Sequence, residues 1–133
     1  MRYIGIDYGT KRVGVALSDD DGKMGFPHKV LNNTSTLLDE IVQLISDEQI
    51  KGIVFGDSKN LDGKENKVQA ELKAFAAKLE AQTNIEIAFE PEYYTTKQAK
   101  DAQKLAGKES ERADAIAAAI ILTSYLERYG NNR

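Results

Sequence analysis

Within its first 18 residues the chain commits to a strand, a glycine turn and a second strand, and the first strand ends in an acid: Tyr3-Ile4-Gly5-Ile6-Asp7-Tyr8-Gly9-Thr10-Lys11-Arg12-Val13-Gly14-Val15-Ala16-Leu17-Ser18. Two apolar runs joined through so short a turn favour an antiparallel pair. An aspartate among apolar neighbours is costly to bury unless a metal ion or a set of donors stands against it. Asp7 is therefore the first residue to examine for chemistry, although an aspartate before Tyr8-Gly9 can also cap its own turn by accepting backbone donors.

The turn Asp19-Asp20-Asp21-Gly22 leads into a third strand, Gly25 to Leu31, which completes an antiparallel meander. The pattern then changes. Thr34 or Ser35 can cap a helix whose apolar positions Leu37, Leu38, Ile41, Val42 and Ile45 keep helical spacing to about Asp47. Gly52 to Gly56 is apolar throughout, as expected of a strand covered on both faces. A polar loop from Asp57 to Gly63 precedes a helix marked by Val68, Leu72, Phe75 and Leu79, and Ile85 to Phe89 reads as a fifth strand. The rest reads as helical, from Thr96 to about Ala106 and from Arg112 to Tyr129.

Three meandering strands followed by two crossover strands predict an α/β fold: a mixed five-stranded sheet with helices on both faces. The first strand is expected at the centre, antiparallel to the second and parallel to the fourth. Ligands of such sheets gather outside the carboxyl ends of the parallel strands. Asp7 ends the first strand, Asp57 follows the fourth, and Glu90 and Glu92 follow the fifth, so four acids are expected at one edge.

At 133 residues the chain suits a single domain, 1–133. A hydrophobic content of 41% and a charged content of 29% are ordinary for a globular protein, and no apolar run reaches the ~20 residues of a membrane helix. The apolar stretch before Asp7 is too short for a secretory signal, and the absence of cysteine accords with a cytoplasmic location. It also removes thiol catalysis and cysteine-ligated zinc from consideration. His28 is the only histidine and sits beside Pro27, away from any serine elbow, which argues against a Ser-His-Asp triad. The net charge of −3 argues against coating nucleic acid by bulk attraction, though a local basic face can still bind phosphate.

The segment from Gly5 to Ala16, and Arg112-Ala113-Asp114-Ala115-Ile116-Ala117-Ala118-Ala119-Ile120-Ile121-Leu122 near the end, resemble in sequence and in order the opening signature and the final helix of the YqgF (RuvX) family of ribonuclease H-like proteins. That family is described as nucleases maturing the precursor of 16S rRNA or as Holliday junction resolvases. The resemblance spans essentially the whole chain, with departures in the middle. Gly56-Asp57-Ser58 stands where the family has glycine-leucine-proline, and Pro91-Glu92-Tyr93 where it has aspartate-glutamate-arginine, the register being set by Thr95-Thr96. Tyrosine offers phosphate neither the charge nor the bidentate fork of arginine.

The resemblance implies a ribonuclease H-like fold and a metal-dependent nuclease of the two-metal type, with Asp7, Glu92 and Asp114 as catalytic ligands of Mg2+ or Mn2+. The physical logic agrees: three carboxylates brought together repel unless cations neutralise them, and magnesium prefers oxygen donors. Each residue also has a plainer reading. Asp114, in the first turn of a helix, can simply complement the macrodipole, although its spacing from Ala117, Ala118 and Ile121 directs it to the sheet. Glu90 shares a strand face with Glu92, and either can serve.

For substrate, Lys11 and Arg12 lie in the first turn, and Lys97, Lys100 and Lys104 recur at helical spacing, which gives a stripe able to track phosphates or simply a solvated face. Tyr93 and Tyr94 can stack on an unpaired base or pack in the interior. The expected partner is nucleic acid, either structured RNA such as a ribosomal precursor or branched DNA, with no membrane. Trimming RNA needs only a monomer, whereas resolving a junction calls for a homodimer. Processing of the 5′ end of precursor 16S rRNA is the leading reading. Junction resolution is one alternative, and a non-catalytic RNA- or ribosome-binding module with a weakened site is another.

Overall fold

Strict alternation along the first strand sorts its side chains between two cores. A computed structural model describes residues 2–57, 67–91 and 110–129. They form β1 (Arg2–Tyr8), β2 (Arg12–Ser18), β3 (Gly25–Asn32), α1 (Leu37–Asp47), β4 (Ile50–Asp57), α2 (Lys67–Thr83), β5 (Ile87–Pro91) and α3 (Ser110–Tyr129). The five strands make one sheet in the order β3-β2-β1-β4-β5. β1 lies at its centre, antiparallel to β2 and parallel to β4, as the sequence predicts. The helix expected from Thr96 to Ala106 lies outside the described residues.

One face carries the branched and aromatic residues. Ile4 and Ile6 of β1, Val13, Val15 and Leu17 of β2, and Ile53 and Phe55 of β4 pack with Leu37, Ile41, Leu44 and Ile45 of α1 and Leu72, Ala76 and Leu79 of α2. The other face is nearly bare of side chains. Gly5, Gly14, Ala16 and Gly25 form a shallow trough in which α3 lies, and added Cβ atoms at the three glycines would strike Leu122 or the helix backbone. The alanine run of α3 serves the same close approach, since Ala118 is fully buried and Ala117 and Ala119 are nearly so. Leu122 lies over Gly5, Tyr125 packs on Tyr3, and the α3 backbone at Asp114 and Ala115 sits on Gly14. The helix thus runs antiparallel to β1; because it begins at Ser110 rather than Arg112, Asp114 lies in its second turn, not its first, and is carried to the strand's carboxyl end.

Several boundaries differ from the sequence reading. The N-cap position of α1 is Thr36 rather than Thr34 or Ser35, because Thr34 is spent on the approach turn, its carbonyl accepting from the Leu37 N–H at 3.1 Å. β5 begins at Ile87, two residues later than expected. The end of α2 takes up the intervening residues: Asn84 adopts φ 57° in the left-handed region and the Thr83 hydroxyl accepts from the Ile85 N–H. β5 therefore runs through Pro91, and Glu90 lies inside the strand instead of after it.

The β2–β3 turn is closed by Asp19, whose Oδ1 accepts from the Lys23 N–H at 2.7 Å and from the Met24 N–H at 3.3 Å. These bonds, the Lys23 one foremost, hold the Asp19 carboxyl below the usual carboxylate range against a smaller desolvation cost. The carboxylate's contribution is thus present above the ordinary aspartate value of about 3.9 and is lost as pH falls through the lower folded-state value. Asp19→Ala is expected to cost roughly 1 kcal/mol at pH 7 after solvent screening, with the deficit shrinking below about pH 4. Urea melts across pH 2 to 7 measure it. Among the described residues no helix is long and apolar enough to cross a membrane.

Candidate active site

Asp7 stands at the carboxyl end of β1 on the α3 face, since it alternates with Tyr3 and Gly5, which pack on that helix. Its partner across the β1–β2 pair is Gly14. A Cβ on Gly14 would lie 1.9 Å from the Asp114 carbonyl oxygen, so the missing side chain is what lets the Asp114 turn of α3 rest beside Asp7. Two of the three acids implicated by the sequence therefore meet at one end of the sheet, although they are 107 positions apart, 114 less 7.

Arg12 joins them in a way the sequence did not indicate. Its Nε lies 2.9 Å from Asp114 Oδ2, with the two side chains 39% and 28% exposed. The turn that carries it is held from β3: the Asn33 side-chain amide donates to the Gly9 carbonyl at 2.7 Å, and the Asn33 backbone N–H donates to the Lys11 carbonyl at 2.9 Å. Lys11 is exposed at the rim of the same turn.

The other acids part company with this pair. Asp57 falls on the opposite face of the sheet, by alternation with Ile53 and Phe55, and accepts a hydrogen bond from the Gln69 side-chain amide of α2. The expectation of four acids at one edge is corrected accordingly: strand alternation, not position after a strand, decides the face. Glu90 does face α3 but is only 1% exposed and already engaged, its Oε2 accepting from Ser124 Oγ and from Arg128 Nη2, each at 2.8 Å. Ser124 and Arg128 were missed as functional neighbours. Their spacing of four puts them on one helical face, but an arginine in a last turn reads first as a complement to the helix dipole.

The Glu90 carboxylate is buried beside a single guanidinium, so removing that partner strands a charge. Arg128→Ala is expected to cost about 3 kcal/mol, the lower end for a buried pair because Ser124 remains, whereas Arg128→Lys retains most of the stability. Chemical denaturation at pH 7 distinguishes these outcomes.

Glu92, Lys97, Lys100, Lys104, Tyr93, Tyr94 and Ser58 lie outside the described residues. Among the described residues no three His, Asp or Glu side chains gather closely enough to hold a metal ion.

The opening strand-turn-strand and the helix that returns an aspartate to it have counterparts in known proteins. The sequence profile described as "RuvX: Holliday junction resolvase" matches residues 1–128. The chain belongs to the RuvX (YqgF) family. It is 36% identical over 134 residues to a Maridesulfovibrio salexigens protein named "Putative pre-16S rRNA nuclease", covering 96% of this chain and 99% of the relative. A Shouchella clausii protein of the same name is 32% identical over 136 residues, with 96% of each chain covered. In three dimensions this RuvX-family chain resembles Thermus thermophilus RuvC solved with a Holliday junction substrate, at a TM-score of 0.63 and 15% identity, over 98% of this chain and 96% of that one. The fowlpox virus resolvase solved with junction DNA gives a TM-score of 0.63 at 12% identity, over 96% and 98% of the two chains. At these identities the likeness is one of fold, a ribonuclease H-like mixed sheet.

Proposed function

We propose that this RuvX-family protein is a metal-dependent nuclease that hydrolyses phosphodiester bonds, with the 5′ end of precursor 16S rRNA as its substrate and the cytoplasm as its place of action. The observation that carries the reading is the seating of Asp114 against Gly14, directly across from Asp7, with Lys11 and Arg12 in the adjoining turn. Relatives named for pre-16S rRNA and alignable over nearly the full chain support the choice of substrate.

Carboxylate oxygens suit Mg2+ or Mn2+, and Asp114 already draws a cation to itself in the form of Arg12, so the donors fit the group. Asp7 and Asp114 would hold it, and Glu92 is the proposed third donor in preference to Glu90, whose carboxylate is occupied by Arg128 and Ser124. When bound, such ions supply an activated water and charge stabilisation for the leaving oxygen. Asp7 and Asp114 orient what they hold, Lys11 and Arg12 neutralise phosphate, and Lys97, Lys100 and Lys104 are the further lysines proposed to contact substrate phosphates.

A second reading, junction resolution, is favoured by the description of the matching family, with a fold like that of RuvC and of the fowlpox virus resolvase, each solved with a junction, and would require a dimer. Labelled precursor-like RNA, single-stranded RNA and a four-way DNA junction, each incubated with Mg2+, Mn2+ or EDTA, test both. Metal-dependent cutting of RNA supports the first reading and junction-selective cutting the second. Binding without cutting would mark a module whose site has lost its chemistry.

A further inference from the structure

Among the described residues two arginine–carboxylate pairs tie α3 to the sheet, alike in length and different in the burial of the carboxylate. Arg128 and Glu90 meet at 2.8 Å with the carboxylate 1% exposed, reinforced by Ser124, which makes a permanent joint. Arg12 and Asp114 meet at 2.9 Å with the two side chains 39% and 28% exposed, although the Asp114 Oδ2 atom itself is enclosed, and a pair whose side chains both reach water is held less firmly than one with a fully buried carboxylate. The backbones under that second pair are nevertheless fixed. Gly14 grips the α3 backbone at Asp114 and Ala115, and Asn33 clamps the turn ahead of Arg12 by two hydrogen bonds. Any rearrangement at this pair therefore falls to the side chains.

We propose that Arg12 is an exchangeable counter-cation for Asp114. Before metal arrives, its guanidinium neutralises the carboxylate; a divalent cation takes the carboxylate over and turns the guanidinium out to a backbone phosphate. This rests on the assignment of Asp114 as a metal ligand. A guanidinium and a divalent ion crowded on one carboxylate repel each other, and the displaced group is a planar fork suited to phosphate. Exposed Lys11 precedes it in the chain, so the released charge joins an existing cationic rim. Metal binding and nucleic-acid binding are thereby coupled through one side chain, each strengthening the other by the same factor.

The test is calorimetric titration of Mn2+ into the nucleic-acid-free wild type, Arg12→Ala, Arg12→Lys and Asp114→Asn, with circular dichroism to verify folding. Alongside it, binding of a labelled RNA hairpin is measured over a range of salt in Ca2+ and in EDTA. Arg12→Ala is expected to bind Mn2+ roughly two- to five-fold more tightly, the competing ion pair being gone. Arg12→Lys falls between it and the wild type. In Ca2+, the salt dependence of hairpin binding should fall by about one phosphate contact in Arg12→Ala; in EDTA it should not change. Unchanged or weaker Mn2+ binding by folded Arg12→Ala, where the wild type shows Asp114-dependent binding, overturns the exchange and leaves Arg12 merely supporting Asp114. Wild-type Mn2+ binding indifferent to Asp114→Asn overturns the ligand assignment itself, and the exchange with it.

Discussion

Asp7→Asn is expected to lower metal-dependent cleavage by on the order of 100-fold or more while leaving the metal-free fold as stable as before or slightly more so. Changing groups that merely orient a metal's ligands costs about 10- to 100-fold, and an amide in place of a ligand carboxylate removes both charge and donor strength. The stability expectation runs the other way for the same electrostatic reason. Asp7 and Asp114 are drawn to one end of the sheet by the Gly14 contact, and neutralising one of them relieves repulsion wherever no cation is bound. Melting in EDTA should therefore show no loss, and the rise in melting temperature on adding Mg2+ should shrink. A large destabilisation in EDTA would instead make Asp7 a cap for its own turn. Undiminished cleavage would remove it from the site.

Gly14→Ala is expected to be the costliest single methyl group that can be added to this sheet. The new Cβ would lie 1.9 Å from the Asp114 carbonyl oxygen, 2.3 Å from its carbon and 2.9 Å from the Ala115 nitrogen, all backbone atoms with no rotamer to yield. Overpacking commonly costs about 1–3 kcal/mol, and a clash against helix backbone belongs at the upper end. For a chain of this size that is a fall in melting temperature of roughly 10 °C. Gly52→Ala provides the contrast. Its Cβ would meet the Tyr3 ring at 2.5 Å, and a ring on a rotatable side chain can move away, so the loss should be clearly smaller. Cleavage by Gly14→Ala should fall further than the unfolded fraction accounts for, because the shift that relieves the clash carries Asp114 away from Asp7. Thermal melts and cleavage assays at a temperature where both variants are folded separate the two effects.

The strand order, the central place of β1 and the pairing of its neighbours were legible in the sequence. They follow from local periodicity and from the rule that short connections make antiparallel pairs while helical crossovers make parallel ones. The place of Asp7 at the end of β1 was legible, and it stood out as a candidate because an acid among apolar residues is anomalous wherever the chain folds. The direction of Asp114 was legible from helical spacing. Asp57 shows where such reasoning stops: its place after a strand suggested the site, but its side chain belongs to the other face and to Gln69.

What the sequence alone determined, then, is what depends on neighbours along the chain: periodicity, turns and the anomaly of one acid closing an apolar strand. The tertiary structure alone decided which charges meet. Arg12 with Asp114, and Glu90 with Arg128 and Ser124, pair although they are 102, 38 and 34 positions apart, as 114 less 12, 128 less 90 and 124 less 90 give. Such partners are chosen by helix placement, and here a glycine trough, a property of three strands at once, is what sets the helix down. No window along the chain contains that information.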